Sequence, residues 1–347
     1  MKRALMILTA GGAIGLLAAG AYAQQSLGGF PIHDPGVGRV SGQPATPKGK
    51  GQNQIVVDAN GQGPYKKISM ALDDIAEGGV IYVMHGDYEE SVTLSKSVFI
   101  QGDRGPGPGV RILPKKDNPC LSFSPKESTA HAVVANVELT SAVGSEADGC
   151  VNVLKGVFTL KESNVFGSGH KPAIKISGGT VMLEKNTING GASGVLLELG
   201  HSLAQTFLID NEIAKNEIGV DISDRSFGDV FLAGNQIFEN RDGGVRSFGH
   251  GGATFIGNKI SNNDGAGIVL DRHAKLALVR YNEIVQNDGD GLAAPFGSNG
   301  FIEHNKIMFN KGKALSLGKN EKPELLSNEI ACNEGDRGKG RKDRRCR

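Results

Sequence analysis

The chain has 347 residues, 22 % charged and 5 % aromatic, no tryptophan, and a formal net charge of +1. That balance excludes the broadly basic, aromatic-studded surface of a nucleic-acid binder. Past residue 23 no stretch is apolar enough to span a bilayer.

Residues 1–23 read as a secretory signal peptide. Lys2 and Arg3 supply the positive start, an apolar run follows from Ala4 to Gly20, and Ala21-Tyr22-Ala23 is a small-residue cleavage site. Cleavage would take the charge from +1 to −1 and leave an exported protein, periplasmic or secreted, with no stable membrane insertion. Residues 24–54, rich in Gly, Pro and Gln and without periodicity, read as a flexible leader. Order is expected from Ile55. Residues 65–76 put Ile68, Leu72 and Ile75 on one helical face, with Gly78-Gly79 as the stop. A helix here suits the open end of a stacked sheet, whose edge would otherwise pair with another chain.

Short strands then take over, and from Asn186 a repeat is nearly strict. Asn-x-Ile begins at residues 186, 211, 235, 258, 282, 305 and 328, at intervals of 25, 24, 23, 24, 23 and 23. A second asparagine follows five places later in six copies, from Asn216 to Asn333, and then a Gly plus apolar pair such as Gly219-Val220. No copy holds ten residues of helical pattern and there is no fixed leucine frame, so helical solenoids and leucine-rich repeats are disfavoured. The fold class is all-β. Residues 55–334 are expected to form a right-handed parallel β-helix solenoid of about eleven coils with an N-terminal capping α-helix. The asparagines are expected to turn the chain and bond one another in ladders, with the glycine as a second bend.

Cys120, Cys150, Cys332 and Cys346 lack metal-site spacing; in an exported protein an even count permits two disulfides. Cys120 with Cys150, one long coil apart, and Cys332 with Cys346 is the preferred pairing, and the others stay open. Residues 335–347 form a basic tail, seven basic side chains against Asp336 and Asp343.

The chain resembles the pectin-lyase-like β-helix superfamily, in particular its bacterial exported members. Gly86-Asp87-Tyr88-Glu89-Glu90-Ser91-Val92 and Val98-Phe99-Ile100-Gln101-Gly102-Asp103 are similar to the opening of pectin methylesterases. The Asn-x-Ile repeats resemble those of periplasmic copper-maturation β-helix proteins and mannuronan epimerases. The resemblance implies the fold; catalytic signatures do not carry over. Gly167-Ser168-Gly169-His170 and the next coil lack the methylesterase aspartates. Gly249-His250-Gly251 matches a polygalacturonase motif without its paired aspartates, and the epimerase Asp-Pro-His does not occur.

Period two points Val220, Ile222, Val245, Ser247, Ile268 and Leu270 inward. Outward then stack Leu196, Asp221, Arg246 and Val269, beside Glu198, Ser223, Phe248 and Asp271. At the following turn come His201, Asp224, Arg225, His250, Arg272 and His273. Asp221, Arg246, His250, Asp271 and His273 are the catalytic candidates: carboxylates as acid or base, Arg246 to neutralise a uronate, histidines to move a proton. Glu198, Asp224, Arg225, Phe248 and Arg272 are the substrate-binding candidates. The same charges also suit a merely solvated face. His250 and His273 force no third ligand to converge, so neither a metal nor another cofactor is expected. The expected function is binding or processing of an acidic polysaccharide or cell-envelope glycan, binding or scaffolding ahead of catalysis. The alternative is a lyase, C5-epimerase or glycoside hydrolase acting on a uronate-containing polymer.

Overall fold

The computed structural model describes residues 50–61, 63–105, 109–200, 204–271, 273–274, 277–296, 299–319, 323–336 and 346. The signal peptide, most of the leader and nearly all of the basic tail lie outside them. So do His201 and Arg272.

Each coil contributes one strand to each of three parallel sheets, and successive coils stack in register as a right-handed parallel β-helix of about eleven turns. Sheet I has twelve strands, sheet II eleven and sheet III ten. One coil runs Asp229–Ala233 in sheet I, Gln236–Phe238 in sheet II and Gly243–Ser247 in sheet III. Strand alternation fills the interior: Val230, Leu232, Ile237 and Val245 are buried, as are their partners along the stack.

The asparagines are the corners. Asn211, Asn235, Asn258 and Asn282 are buried between sheets I and II; Asn216, Asn240, Asn263 and Asn287 are buried between sheets II and III. Asn235 Nδ2 donates to Asn258 Oδ1 at 2.9 Å and to the Leu208 carbonyl at 2.8 Å. Asn258 Oδ1 also accepts the Asn235 backbone N–H. Two donors and two acceptor sites are thus used at each internal rung, which makes burial of the amide affordable.

The turning conformation sits one residue earlier than expected. Asp210, Lys215, Glu239, Asn262, Tyr281, Gln286 and His304 have φ between 53° and 58°, each immediately before a ladder asparagine. The left-handed step is therefore taken by varied residues, and the asparagine satisfies the backbone that the step exposes. The glycines are also reassigned. Gly219 and Gly244 lie inside sheet III strands, not at a bend. A Cβ on Gly219 would stand 2.5 Å from the Gly244 carbonyl oxygen and 2.6 Å from Ile237 Cγ2, so close approach of the next coil excludes a side chain.

At the N-terminal end β1 is Gln52–Val57, beginning three residues before the expected boundary. The helix α1 is Ile68–Asp74, shorter than residues 65–76. Ile75 is extended and opens β2 (Ile75–Val83), pairing with Gln52, so Gly78 and Gly79 lie within a strand and do not stop the helix. Strand pairing overrides the helical spacing here. α1 buries Ile68, Ala71 and Leu72, and the Glu90 carboxylate accepts the Ile68 and Ser69 N–H groups at 2.7 and 3.0 Å. That is an N-cap delivered from a neighbouring coil.

Both disulfides pair as preferred. Cys120–Cys150 joins adjacent coils with Cα atoms 4.8 Å apart, the coil spacing itself; Cys332–Cys346 ties Cys346 to the last coil. Among the described residues no helix is long and apolar enough to cross a membrane.

Candidate functional site

Sheet III places the expected outward row in register: Leu196 beside Asp221, Asp221 beside Arg246, Arg246 beside Val269. The inward set Val220, Ile222, Val245, Ser247, Ile268 and Leu270 is buried. Two of the outward residues join directly. Arg246 Nε donates to Asp221 Oδ1 at 3.0 Å and Nη2 to Oδ2 at 2.5 Å, a bidentate fork. The Asp221 side chain is 8 % exposed and that of Arg246 36 %. The hydrogen bond to Asp221 holds the guanidinium above its ordinary pKa. Asp221 is thus a locked counter-ion, with both of its oxygens on the guanidinium. The Arg246 guanidinium carbon also lies 5.4 Å from the Phe248 ring centroid.

A second pairing runs up the same face. Glu198 lies 3.4 Å from Lys175 and 4.0 Å from Arg225, and Lys175 is also 3.8 Å from Asp148. Arg225 is 78 % exposed and Asp224 beside it is exposed. The carboxylates Asp148, Glu198 and Asp221 each have a cation alongside, which blunts their repulsion of an approaching anion.

At the turn after sheet III the rings stack along the rod. Phe227 and His250 have centroids 4.6 Å apart and planes 7° apart; His250 and His273 are 4.1 Å apart and tilted by 36°. Phe227 is 39 % exposed and His250 exposed. Asp271 follows sheet III at the same margin, its backbone N–H bonded to the Ser247 carbonyl, and its Oδ1 is buried without a hydrogen-bond partner. At the opposite margin an open groove of about 620 Å³ is lined by Ser193, Glu217, Arg241, Asp242 and Arg246. Among the described residues no three His, Cys, Asp or Glu side chains converge as a metal site would require.

The structure therefore joins Asp221 to Arg246, Arg246 to Phe248, Glu198 to Arg225 and His250 to His273, and leaves Asp224 alone at the surface. Sequence reasoning missed Lys175 and Phe227. The signal for Phe227 was present: Phe227, His250 and His273 are each 23 residues apart. Lys175 pairs with Leu196 one coil below, where coil lengths are still irregular.

The chain is similar to two curated relatives over part of its length. A mannuronan C5-epimerase of Pseudomonas putida is 29 % identical over 133 residues, 37 % of this chain and 25 % of that protein. A mannuronan C5-epimerase of Pseudomonas syringae pv. tomato is 33 % identical over 91 residues, 26 % of this chain and 17 % of that protein. The chain thus spans a quarter or less of these relatives. Among solved structures, pectate lyase Pel9A gives a TM-score of 0.47 at 14 % identity, covering 84 % of this chain and 83 % of that one. The family described as a right-handed beta helix region matches residues 154–330. With the matched segment spanning half the sequence and three parallel sheets wound as that family requires, the chain belongs to the right-handed β-helix family.

Proposed function

We propose that the outward face of sheet III, with the turn that follows it, binds a uronate-type polysaccharide, and that the protein is a binding or scaffold component of the cell envelope rather than a catalyst. The observation that carries this is the Phe227, His250 and His273 ring stack at the turn that also holds Arg225, following the sheet III face that holds Arg246. Flat rings offer sugar faces an apolar platform, and the two guanidinium groups can hydrogen-bond carboxylates. The stack sets one ring on each of three successive coils, so a linear polymer lying along the rod meets three in line. The similarity to mannuronan C5-epimerases makes mannuronan the first polymer to test. Residues 1–23 serve as the export signal in this reading, the residues from 24 up to β1 as a leader and 335–347 as a basic tail. The two disulfides fit an oxidising compartment, the periplasm or the medium.

Binding is favoured over catalysis because Asp221, the most central carboxylate, is held by Arg246 and is poorly placed to exchange a proton. A second reading, lyase or epimerase chemistry, rests on one feature: the unpartnered buried Asp271 Oδ1 at the margin that carries His250 and His273. Glycan arrays or calorimetry with polymannuronate and pectate test the binding. Arg225→Ala should weaken binding about tenfold, the loss of one charge-assisted hydrogen bond, and leave the melting temperature unchanged because the side chain is exposed. Absence of binding by the wild type sinks the proposal; release of unsaturated products, or epimerised polymer by NMR, decides for the second reading.

A further inference from the structure

We infer that the outward face of sheet I is an interface with a second copy of this chain, packed sheet against sheet. The outward rows of the three sheets differ in chemistry. Sheet II presents Glu138, Glu212, Lys259, Glu283 and Lys306, and sheet III the ion pairs described above. The central row of sheet I is apolar along almost its whole length, with Phe99, Met182, Phe207, Phe231, Leu278 and Phe301 joined by continuous strand register. These six are half-buried, and Val133 and Thr159, which continue the row between Phe99 and Met182, are buried. Near the middle of the row Phe207 and Phe231 stack at 5.0 Å with planes 10° apart. Ile209 and Ile256 widen the patch beside them.

The dimensions fit a dimer. Ten strands from β2 (Ile75–Val83) to Phe301–Glu303, at roughly 4.8 Å each, give about 48 Å, and five-residue strands are about 16 Å wide. Without the strands of the buried Val133 and Thr159 the open face covers roughly 600 Å², the lower end of what each partner of a stable interface contributes. Twisted sheets pack face to face about 10 Å apart. A two-fold axis perpendicular to the rod, passing near the centre of the row, lays the Phe207 and Phe231 pair against its own copy, an aromatic centre of the kind that dominates binding energy.

The chemistry of the face selects against other occupants. Thr159 and Thr254 are the only hydroxyls in the central row, too few to satisfy the many hydroxyls of a glycan. The margins mix signs, with Glu184 beside Lys185, Glu303 paired with Arg280, and Asp229, so they offer an anionic lipid surface or a polyanion no net attraction. A second copy brings an equally apolar surface and needs no new polar partners.

Sedimentation equilibrium of the full chain tests this. The wild type should show a reversible monomer–dimer equilibrium, and Phe207→Lys/Phe231→Lys should raise the dissociation constant roughly 100-fold or more, as loss of a central aromatic cluster does. Arg225→Ala, on the other face, should leave it unaltered. Should the lysine variant misfold, hydroxyl-radical footprinting of the wild type gives an independent readout. Met182 and Phe207 should become protected as concentration rises, while Phe227 and Tyr281 should not. A wild type that is monomeric throughout, or a dimer whose Met182 and Phe207 stay reactive, overturns the assignment.

Discussion

Replacing Asn258 by alanine tests whether the ladders hold the coils together. The Asn258 side chain, 1 % exposed with its residue, makes four hydrogen bonds. Oδ1 accepts the Asn235 N–H and Nδ2, both at 2.9 Å; Nδ2 donates to the Leu232 carbonyl and to Asn282 Oδ1, both at 2.9 Å. Alanine strands two buried Asn235 donors, each costing about 1–3 kcal/mol, and removes one donor each from Leu232 and Asn282. A water drawn into the vacated space recovers part of this, so the expected loss is about 3–4 kcal/mol. Asn328 at the end of the same ladder is the control. Its Oδ1 accepts from Asn305 and its Nδ2 donates to the Ile302 carbonyl, but it is half-exposed, so water can replace it and Asn328→Ala should cost about 1 kcal/mol. Asn258→Asp should be worse than alanine at neutral pH, since it sets a carboxylate oxygen against two acceptors. Guanidinium denaturation followed by circular dichroism measures all three. Equal costs for Asn258→Ala and Asn328→Ala, or a cost below about 1 kcal/mol for the former, would refute the idea that the internal rungs are cooperative supports.

Three further outcomes follow from the same contacts. Gly244→Ala should destabilise by about 2 kcal/mol or more, because its Cβ would stand 2.5 Å from Ile260 Cγ2 and 2.6 Å from the Gly267 carbonyl; thermal melting checks it. Burial pushes the Tyr88 phenol from 10.0 up to about 12 while its hydroxyl donates to the Met84 carbonyl at 2.8 Å. A raised folded-state value means stability is full below pH 10 and is lost as pH rises toward about 12; Tyr88→Phe should be less stable at neutral pH but show a smaller alkaline decline in a pH-resolved melt, the remainder coming from Tyr65, whose phenol is also pushed up by burial. Cys120→Ala/Cys150→Ala opens a loop with a sequence separation of 30 and should cost about 3–4 kcal/mol on loop entropy, read by denaturation; an unchanged midpoint would show that the ladder alone fixes those coils.

The β-helix was legible because Asn-x-Ile returns at an interval close to 23 residues, and such an interval has few structural solutions. The outward row Leu196, Asp221, Arg246 and Val269 followed from that period and strand alternation alone. What the period could not give was pairing: the Asp221–Arg246 fork depends on side-chain reach, and it turns a candidate acid into a counter-ion. The positive φ at Asp210 or Tyr281 was hidden because many residue types occupy that corner. The helix was overextended because Ile75 fits a helical face and a strand equally well, and only pairing with Gln52 decides. The sheet I row escaped notice because strands such as Gln205–Ile209 are apolar on both faces and read as a buried run.

From Ala135 onward the connection from sheet I to sheet II is always two residues, the left-handed step and the residue that follows it. The connection from sheet III back to sheet I has no such uniformity, spanning three residues after Ile176 and seven after Leu197 or Leu270. The corner from sheet I to sheet II is therefore closed to insertion from Ala135 onward, since one added residue would shift an asparagine out of line with its neighbours above and below. The corner from sheet III back to sheet I can lengthen without disturbing the stack. Phe227, Arg225, His250 and His273 all lie there. New binding specificity can accumulate along that one edge by changes in loop length and composition, coil by coil, while the rod beneath keeps its shape.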